Sequence, residues 1–360
     1  MPTKAVTLAS VPTPCARFAL EVASHIQKHL HIPQGSHFLL ACSGGVDSTA
    51  CAFLFALVQK RLDATLSAIT INHGLRPEAE EEVAGTKAFL ERLAIPCRVR
   101  TIAVKDYALA HAIGLEEAAR TLRYQCLAHE RTLLQADYIV IAHHADDLAE
   151  DVLMRLTRGC GWPALGGMRD YDEERHILRP LLPWNKAKLT ALVQSLKQEW
   201  FFDQSNNDLR YTRNRFRTTI LPLFHRENPH FPQTITHLST MASYDRAFWD
   251  AHLTTLLHSL PCSFSFQPSL VQIHFPAAIQ GLLPAERLRI LRLCLTILGC
   301  VQKQWQLDSK QATASHLFAL DHLITQAKGT KTLPLPGGIC ARVAKDGLTL
   351  QARRPTSSQG

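Results

Sequence analysis

The sequence predicts an α/β fold: a doubly wound, mostly parallel sheet, then a helical linker and a small α+β C-terminal domain. Three observations predict it. An apolar run, Phe38-Leu39-Leu40-Ala41, passes through Cys42-Ser43-Gly44-Gly45 into the apolar-periodic run 50–58, which holds neither Pro nor Gly. That is strand, glycine turn, helix start. Short apolar runs then alternate with longer helical patterns as far as Gly159, as βα units of a parallel sheet do. Beyond Gly159 the composition shifts, first to Gly and Pro and then to arginine.

In chain order, a helix is expected over Phe18–Leu30, a strand over 38–42 and a helix to about Lys60. Thr65–Asn72 is a second strand. Pro77 with Glu78, Glu80, Glu81 and Glu82 marks a helix start, since acids there meet the positive end of the dipole. That helix runs to about Ala94. Cys97–Val104 is a strand, Leu115–Leu134 a helix, Tyr138–His143 a strand, and 146–158 a helix closed by Gly159. Gly161, Pro163, Gly166 and Gly167 form a loop, Ile177–Leu182 is extended, and Lys186–Lys197 is helical. Thr234–Leu260, Glu286–Leu298 and Ser315–Ala327 are helices; Thr332–Leu335, Ile339–Val343 and Leu348–Gln351 are small strands joined in part by the Lys345-Asp346-Gly347 turn. The expected division is an N-terminal extension and helix over 1–35, a nucleotide-binding domain over 36–226, a helical linker over 227–260 and a C-terminal module over 261–360.

A chain of 360 residues with 46% hydrophobic content is long enough for two or three soluble domains. No apolar run approaches the ~20 residues of a membrane span. Residues 1–15 lack the apolar region and cleavage signal of a leader, so a loosely packed extension is expected. Ten cysteines are scattered without a CxxC pair, which fits a reduced, cytoplasmic setting and gives metal frameworks little support. The formal net charge of +8 is compatible with a polyanionic partner.

In a doubly wound sheet ligands bind beyond the carboxyl ends of the strands. Three candidate groups fall there: Ser43-Gly44-Gly45-Val46-Asp47-Ser48, Asn72-His73, and His143-His144-Ala145-Asp146-Asp147. The first presents backbone N–H groups and a helix N-terminus to an anion, and its paired glycines allow close approach. No lysine follows, so this is not the Walker-type loop. Asp47 beside a pyrophosphate needs a bridging cation such as Mg²⁺; the alternative is a capping Asp. Asp147 and Glu150, three apart on a helix, can share a metal or a proton-accepting site, or form an acidic helix N-terminus. Arg120 and Arg123 share a face and suit an α-phosphate, or pair with Glu116 or Glu117 at the surface. Leu209–Arg226 carries five arginines (210, 213, 215, 217 and 226) and no acid, interleaved with Tyr211 and Phe216. It is an RNA-tracking segment or a solvated basic face.

Taken together, several segments resemble the bacterial tRNA(Ile)-lysidine synthetase family of the ATP pyrophosphatase (PP-loop) superfamily. They are Ala41–Ser48, Asn72-His73-Gly74-Leu75-Arg76, Ala119-Arg120-Thr121-Leu122-Arg123-Tyr124, His143–Asp147, Leu153–Gly159, Asp203-Gln204-Ser205-Asn206, Tyr211–Arg217 and Ile220-Leu221-Pro222. Leu335-Pro336-Gly337-Gly338 resembles the family's C-terminal module. The resemblance implies an adenine nucleotide alpha hydrolase-like domain that uses ATP and Mg²⁺. The implied reaction adenylates the wobble cytidine of CAU-anticodon tRNA(Ile) and attaches free lysine to its C2, releasing AMP and pyrophosphate. It implies ATP contacts by residues 43–48, Asn72 and His73, with Mg²⁺ on Asp47. It further implies catalytic roles for Asp47, Arg120, Arg123, Asp147 and Glu150, and tRNA contacts by Arg210, Arg213, Arg215 and Arg217. No membrane partner is implied, and a homodimer is compatible with it.

The sequence departs from the family's HHADDQAET pattern at two positions, with Leu148 in place of the amide and Asp151 in place of the threonine. The chain is also shorter than is expected of members that carry a further C-terminal domain. The nearest alternative is a tRNA thiolase of the same superfamily, disfavoured by the missing CxxC. Small-molecule amide synthetases leave the arginine-rich segment without a job.

Overall fold

The computed structural model describes residues 6–74, 79–201, 208–305, 312–326 and 328–354. The chain divides into two compact units, 1–243 and 244–360.

The first unit is a six-stranded sheet. Its elements are α1 (Thr13–Lys28), β1 (His37–Ala41), α2 (Val46–Leu62), β2 (Thr65–Asn72), α3 (Ala79–Arg92), β3 (Cys97–Thr101), α4 (Val104–His111), α5 (Leu115–Leu133), β4 (Tyr138–Val140), α6 (Ala145–Thr157), β5 (Tyr171–Asp172), β6 (Ile177–Leu178) and α7 (Lys186–Ser195). The strand order is β3-β2-β1-β4-β6-β5. All pairings are parallel except β5 with β6. The order reverses between β1 and β4, and that is where a doubly wound sheet opens a crevice for ligands.

Both faces of the sheet are covered, so the central strands read as continuous apolar runs. Phe38 and Leu40 join residues of α1, α2 and α7 in one core. Leu39, between them, points the other way and packs with Ile69, Leu127, Ile139 and Ile177. Each fully buried side chain of this size contributes about 1.5–3 kcal/mol. The expected strand ending at Val104 stops at Thr101, and residues 104–111 form α4 instead. The N-terminal segment is also better packed than expected: α1 begins at Thr13, Cys15 is buried, and Val6, Leu8 and Val11 lie against the core.

Beyond α7 come α8 (Thr212–Arg215), a π-helical turn (Phe216–Ile220), α9 (Leu221–Glu227) and α10 (Phe231–Ser259), within which the two units divide. The π turn has a local cause. Pro222 has no N–H to return to Thr218, and its ring crowds that carbonyl, so the backbone widens one turn earlier. Phe216 and Leu221 bury against Leu148, Ala149, Val152 and Leu153 of α6, which fixes the arginine-bearing helix over that element.

The second unit is an antiparallel sheet in the order β7-β8-β11-β10-β9, with helices α11 (Pro284–Gln304) and α12 (Ala314–Gln326). Its strands are β7 (Ser263–Gln267), β8 (Leu270–Pro276), β9 (Lys331–Leu335), β10 (Ile339–Ala344) and β11 (Gly347–Arg353). The last three were expected; β7 and β8 were not. Among the described residues no helix is long and apolar enough to cross a membrane.

Candidate active site at the switch point of the sheet

Residues 42–45 leave β1 and turn directly into α2. Gly44 takes φ +80°, the left-handed region, and a Cβ there would lie 2.4 Å from Thr86 Oγ1 and 3.0 Å from Phe201 Cδ2. Gly45 is the N-cap of α2, and no side chain caps it. The first-turn amides therefore face outward from the helix end, as an anion site requires. The Ser43 amide donates to Ser48 Oγ at 3.2 Å, the two hydroxyl oxygens are 3.3 Å apart, and Ser48 Oγ donates to the Gly45 carbonyl at 3.0 Å. Phe201, which the sequence did not single out, donates its amide to the Gly44 carbonyl at 3.0 Å. Its ring lies over Gly44 and Gly85, and at Gly85 a Cβ would come within 2.5 Å of the ring. A glycine inside helix α3, where it costs about 0.5–1 kcal/mol relative to Ala, was the available signal of a close approach.

Across the switch point, α6 starts at the residue that follows His144. The His144 ring is buried among three carboxylates: Nε2 lies 3.6 Å from Asp47 Oδ2 and 3.3 Å from Asp147 Oδ2, and Nδ1 lies 3.5 Å from Asp146 Oδ2. Nδ1 is also 3.4 Å from the Asp147 amide. An Nδ1 lone pair accepting from that amide and an Nδ1–H donating to Asp146 exclude one another. Three surrounding carboxylates decide for the imidazolium. Burial alone would lower its pKa, but Asp147, Asp146 and Asp47 outweigh it and raise the value to about 10. Burial would raise Asp147, yet the His144 imidazolium, Arg213 and Arg217 hold it well below the usual carboxylate range.

The sign of the resulting pH dependence follows. A histidine raised in the folded state stabilises fully below its unfolded value near 6.5 and loses that contribution as pH climbs toward 10. A depressed carboxylate stabilises above about pH 4 and loses its contribution as pH falls. His144→Gln is therefore expected to flatten the decline in unfolding free energy between pH ~7 and ~9 relative to the wild type. Denaturant midpoints at the two pH values check this, and an unchanged slope would contradict the imidazolium.

Asp147 and Glu150, one turn apart on α6, meet Arg213 and Arg217, one turn apart on the facing helix. Arg213 donates to Glu150 Oε2 at 2.9 Å and Asp147 Oδ1 at 3.1 Å. Arg217 donates to Glu150 Oε1 at 2.7 Å and Asp147 Oδ1 at 3.0 Å. Both carboxylates are buried, while about 30% of each guanidinium side chain stays exposed. The four arginines expected to track RNA thus divide. Arg213 and Arg217 turn inward onto the acids. Arg210 is exposed and paired with Asp208 at 2.7 Å, and exposed Arg215 holds the Leu209 and Arg210 carbonyls at 2.8 Å.

Arg120 and Arg123 lie on α5 with their guanidinium carbons 5.1 and 5.3 Å from the Tyr124 ring centroid, within cation–π range. Arg175 approaches the same ring at 5.4 Å. Arg123 Nε is buried with no hydrogen-bond partner among the described residues. Asn72 and His73 stand at the carboxyl end of β2, where Asn72 Oδ1 accepts the Gly74 amide at 2.8 Å. Leu75, Arg76, Pro77 and Glu78, and the run Asp203-Gln204-Ser205-Asn206-Asn207, lie outside the described residues.

Leu148, where the family pattern has an amide, is buried in the apolar cluster with Val152, Phe216, Leu221 and Ile235. Asp151 pairs with Arg155 at 2.8 Å. Leu148→Gln would bury an amide without partners, and a loss of about 1–3 kcal/mol in unfolding free energy is expected with no gain in activity. A neutral or stabilising effect would show that the position still accepts a polar group.

The PP-loop domain family model matches residues 18–224. A tRNA(Ile)-lysidine synthase from Nitratidesulfovibrio vulgaris is 38% identical over 331 residues, covering 89% of this chain and 93% of that protein. The chain belongs to the tRNA(Ile)-lysidine synthase family. Membership makes it a tRNA-modifying ligase whose PP-loop domain binds ATP. Another family member, from Thermobifida fusca, is 32% identical over 85% of this chain and 89% of its own length. Further members are longer, and this chain spans about half of their length. Among solved structures, the U34-tRNA thiolase NcsA from Methanococcus maripaludis, with its 4Fe-4S cluster, superposes with a TM-score of 0.54. The match covers 63% of this chain and 78% of that one at 16% identity, a likeness of fold alone. In this synthase-family chain the thiols of Cys42 and Cys51 are buried, and burial pushes their pKa values up, so both behave as core residues.

Proposed function

We propose that the switch-point crevice adenylates the C2 oxygen of the wobble cytidine in CAU-anticodon tRNA(Ile), then exchanges AMP for free lysine to give lysidine. The observation that carries this reading is the approach of Asp47, on the phosphate loop, to His144, at the head of the acidic helix, at 3.6 Å. It supports the reading because, on these assignments, the residue of the phosphate loop and the acidic helix that would receive the acceptor are close enough to serve one reaction centre.

In the first step the base oxygen bonds to the α-phosphorus as the α–β phosphoanhydride bond breaks and pyrophosphate leaves. The loop amides of residues 44–48 and the hydroxyls of Ser43 and Ser48 hold the departing anion. Arg120 and Arg123 offset charge at the α-phosphate, and the unpartnered Arg123 Nε–H is a donor in place for an anionic oxygen. Asp47 Oδ1 is likewise buried without a partner among the described residues, an acceptor suited to a cation. Asp47 would hold the Mg²⁺ that accompanies ATP, a hard ion that one carboxylate and phosphate oxygens bind together and that would neutralise pyrophosphate charge.

In the second step the lysine ε-ammonium gives one proton to solvent, its neutral nitrogen bonds to C2 as the C–O bond to AMP breaks and AMP leaves, and the nitrogen then gives a second proton to solvent. Asp147 and Glu150 bind the incoming ammonium. The depressed pKa makes Asp147 a poor proton acceptor, so its work is electrostatic. Arg213 and Arg217 already fill both carboxylates, and lysine gains its place by sharing or displacing them. Arg210 and Arg215, on the outer side of that segment, meet tRNA phosphates.

Incubation with ATP, radiolabelled lysine and an unmodified tRNA(Ile) transcript tests the whole. Label is expected in the RNA with one AMP and one pyrophosphate released per lysine. Formation of ADP, or sulfur transfer in place of lysine transfer, would overturn the reading.

A further inference from the structure

His143 is the member of the His143-His144 pair that this scheme leaves without a task. It follows β4 at the switch point and is half-buried, while its neighbour His144 turns into the carboxylate cluster. Four charged groups from four elements face it: Asp147 on α6, Arg123 on α5, Arg213 on α8 and Arg179 just beyond β6. Only Arg179 forms a hydrogen bond to its ring among the described residues, with Nε donating to His143 Nδ1 at 3.2 Å.

Arg179 is itself held in place. It is 5% exposed, its Nη1 donates to the Arg169 carbonyl at 2.6 Å, and the Tyr124 phenol lies within electrostatic reach of its guanidinium. The guanidinium therefore cannot swing away from the imidazole without leaving the Arg169 carbonyl.

Arginine offers donors and no acceptor. The Nδ1 atom that receives its N–H must carry a lone pair, so a neutral His143 carries its proton on Nε2. Protonating Nδ1 would break the bond and set a fourth cation beside Arg179, Arg123 and Arg213. Burial, joined by those arginines and opposed by Asp147, drives its pKa down to about 3.

We propose that Arg179 is a positioning residue which locks His143 as the neutral Nε2–H tautomer, making it a fixed hydrogen-bond donor to a phosphoryl oxygen in the crevice. In this role His143 moves no proton. It supplies a donor on the side of the crevice where Arg123, Arg179 and Arg213 also face it. The ligand class rests on the adenylation reading above; the tautomer does not.

The tautomer is read from long-range proton–nitrogen spectra of the full chain labelled with nitrogen-15 histidine, without nucleotide or RNA, using His143→Asn to assign the signal. A bare Nδ1 and a protonated Nε2 are expected, unchanged between pH ~5.5 and ~8.5. An Nδ1–H tautomer, or a ring that titrates in that window, overturns the proposal. Arg179→Met removes the donor. It is expected to release the ring into mixed tautomers and lower kcat for pyrophosphate formation by about tenfold or more. It should also add an acid limb near pH ~6.5 that the wild type lacks. Arg179→Lys keeps a cationic donor and is expected to restore part of the tautomer preference and part of kcat, and it serves in place of the methionine variant should that one fail to fold. If these variants shift the tautomer without changing kcat, the donor role is overturned. If the wild type forms no pyrophosphate with tRNA but shows the locked tautomer, it is the adenylation reading that has failed.

Discussion

Alanine at position 44 is expected to remove nearly all ATP-dependent pyrophosphate release while the protein still folds. Gly44 holds φ +80°, where an L side chain costs about 1–3 kcal/mol. The added Cβ would also sit 2.4 Å from Thr86 Oγ1 and 3.0 Å from the Phe201 ring. Thr86 is buried and tied to the Glu82 carbonyl at 2.7 Å, so it has little room to yield. The loop must then shift. Its amides and the Gly45 N-cap move together, because the Gly44 carbonyl is anchored by Phe201. A displacement near 1 Å at a positioning group costs about 10²-fold in rate, so kcat/KM for ATP should fall by about 10²- to 10³-fold. Gly114→Ala, where the new Cβ meets nothing within 4 Å, is expected to leave the rate unchanged. Near-normal pyrophosphate release from Gly44→Ala would mean that the loop does not grip the triphosphate.

The second large effect is expected at Asp147. Asp147→Asn keeps the shape and removes the charge that faces Arg213, Arg217 and His144. Breaking one partner out of a buried ion cluster costs about 3–5 kcal/mol. The partial exposure of both guanidiniums puts this case at or below the lower end. Lysine incorporation into tRNA should fall by about 10²- to 10³-fold, the scale of one lost electrostatic contact to a reacting group. Pyrophosphate release should fall less, because the phosphate loop is intact. Comparing the two products in one reaction separates acceptor binding from adenylation. A variant that transfers lysine at the wild-type rate would take Asp147 out of the mechanism.

Much of the first unit could be read from the chain. Thr65–Asn72 is a strand as expected, because β2 is buried on both faces and its apolar run is bounded by loop residues. The phosphate loop could be read because strand, glycine pair and helix start are contiguous. Val271, Ile273 and Phe275 alternate openly with Gln272 and His274 in β8, a period-two signal that the expected boundaries passed over. Its partner β7, Ser263-Phe264-Ser265-Phe266-Gln267, alternates in the same way although it is exposed along its length. The site was half legible. Asp147 and Glu150 were expected on one helix from their three-residue spacing, and Arg213 and Arg217 were grouped in an acid-free arginine-rich segment expected to meet RNA. Nothing local says that the two pairs face each other, since the partners are 63 to 70 residues apart. That meeting depends on Phe216 and Leu221 packing onto α6, a tertiary contact. The same holds for Arg179 on His143 and Phe201 on Gly44.

The most direct test of the central claim is the backbone amide spectrum of the full chain, with and without Mg²⁺ and an ATP analogue that cannot be cleaved between its α and β phosphates. Large shifts of the Gly44, Gly45, Val46 and Asp47 amides, smaller ones near His143 and His144, and quiet elsewhere are the expected result. Unmoved loop amides with the shifts gathered in another part of the chain would contradict the claim that this turn is where the triphosphate is held.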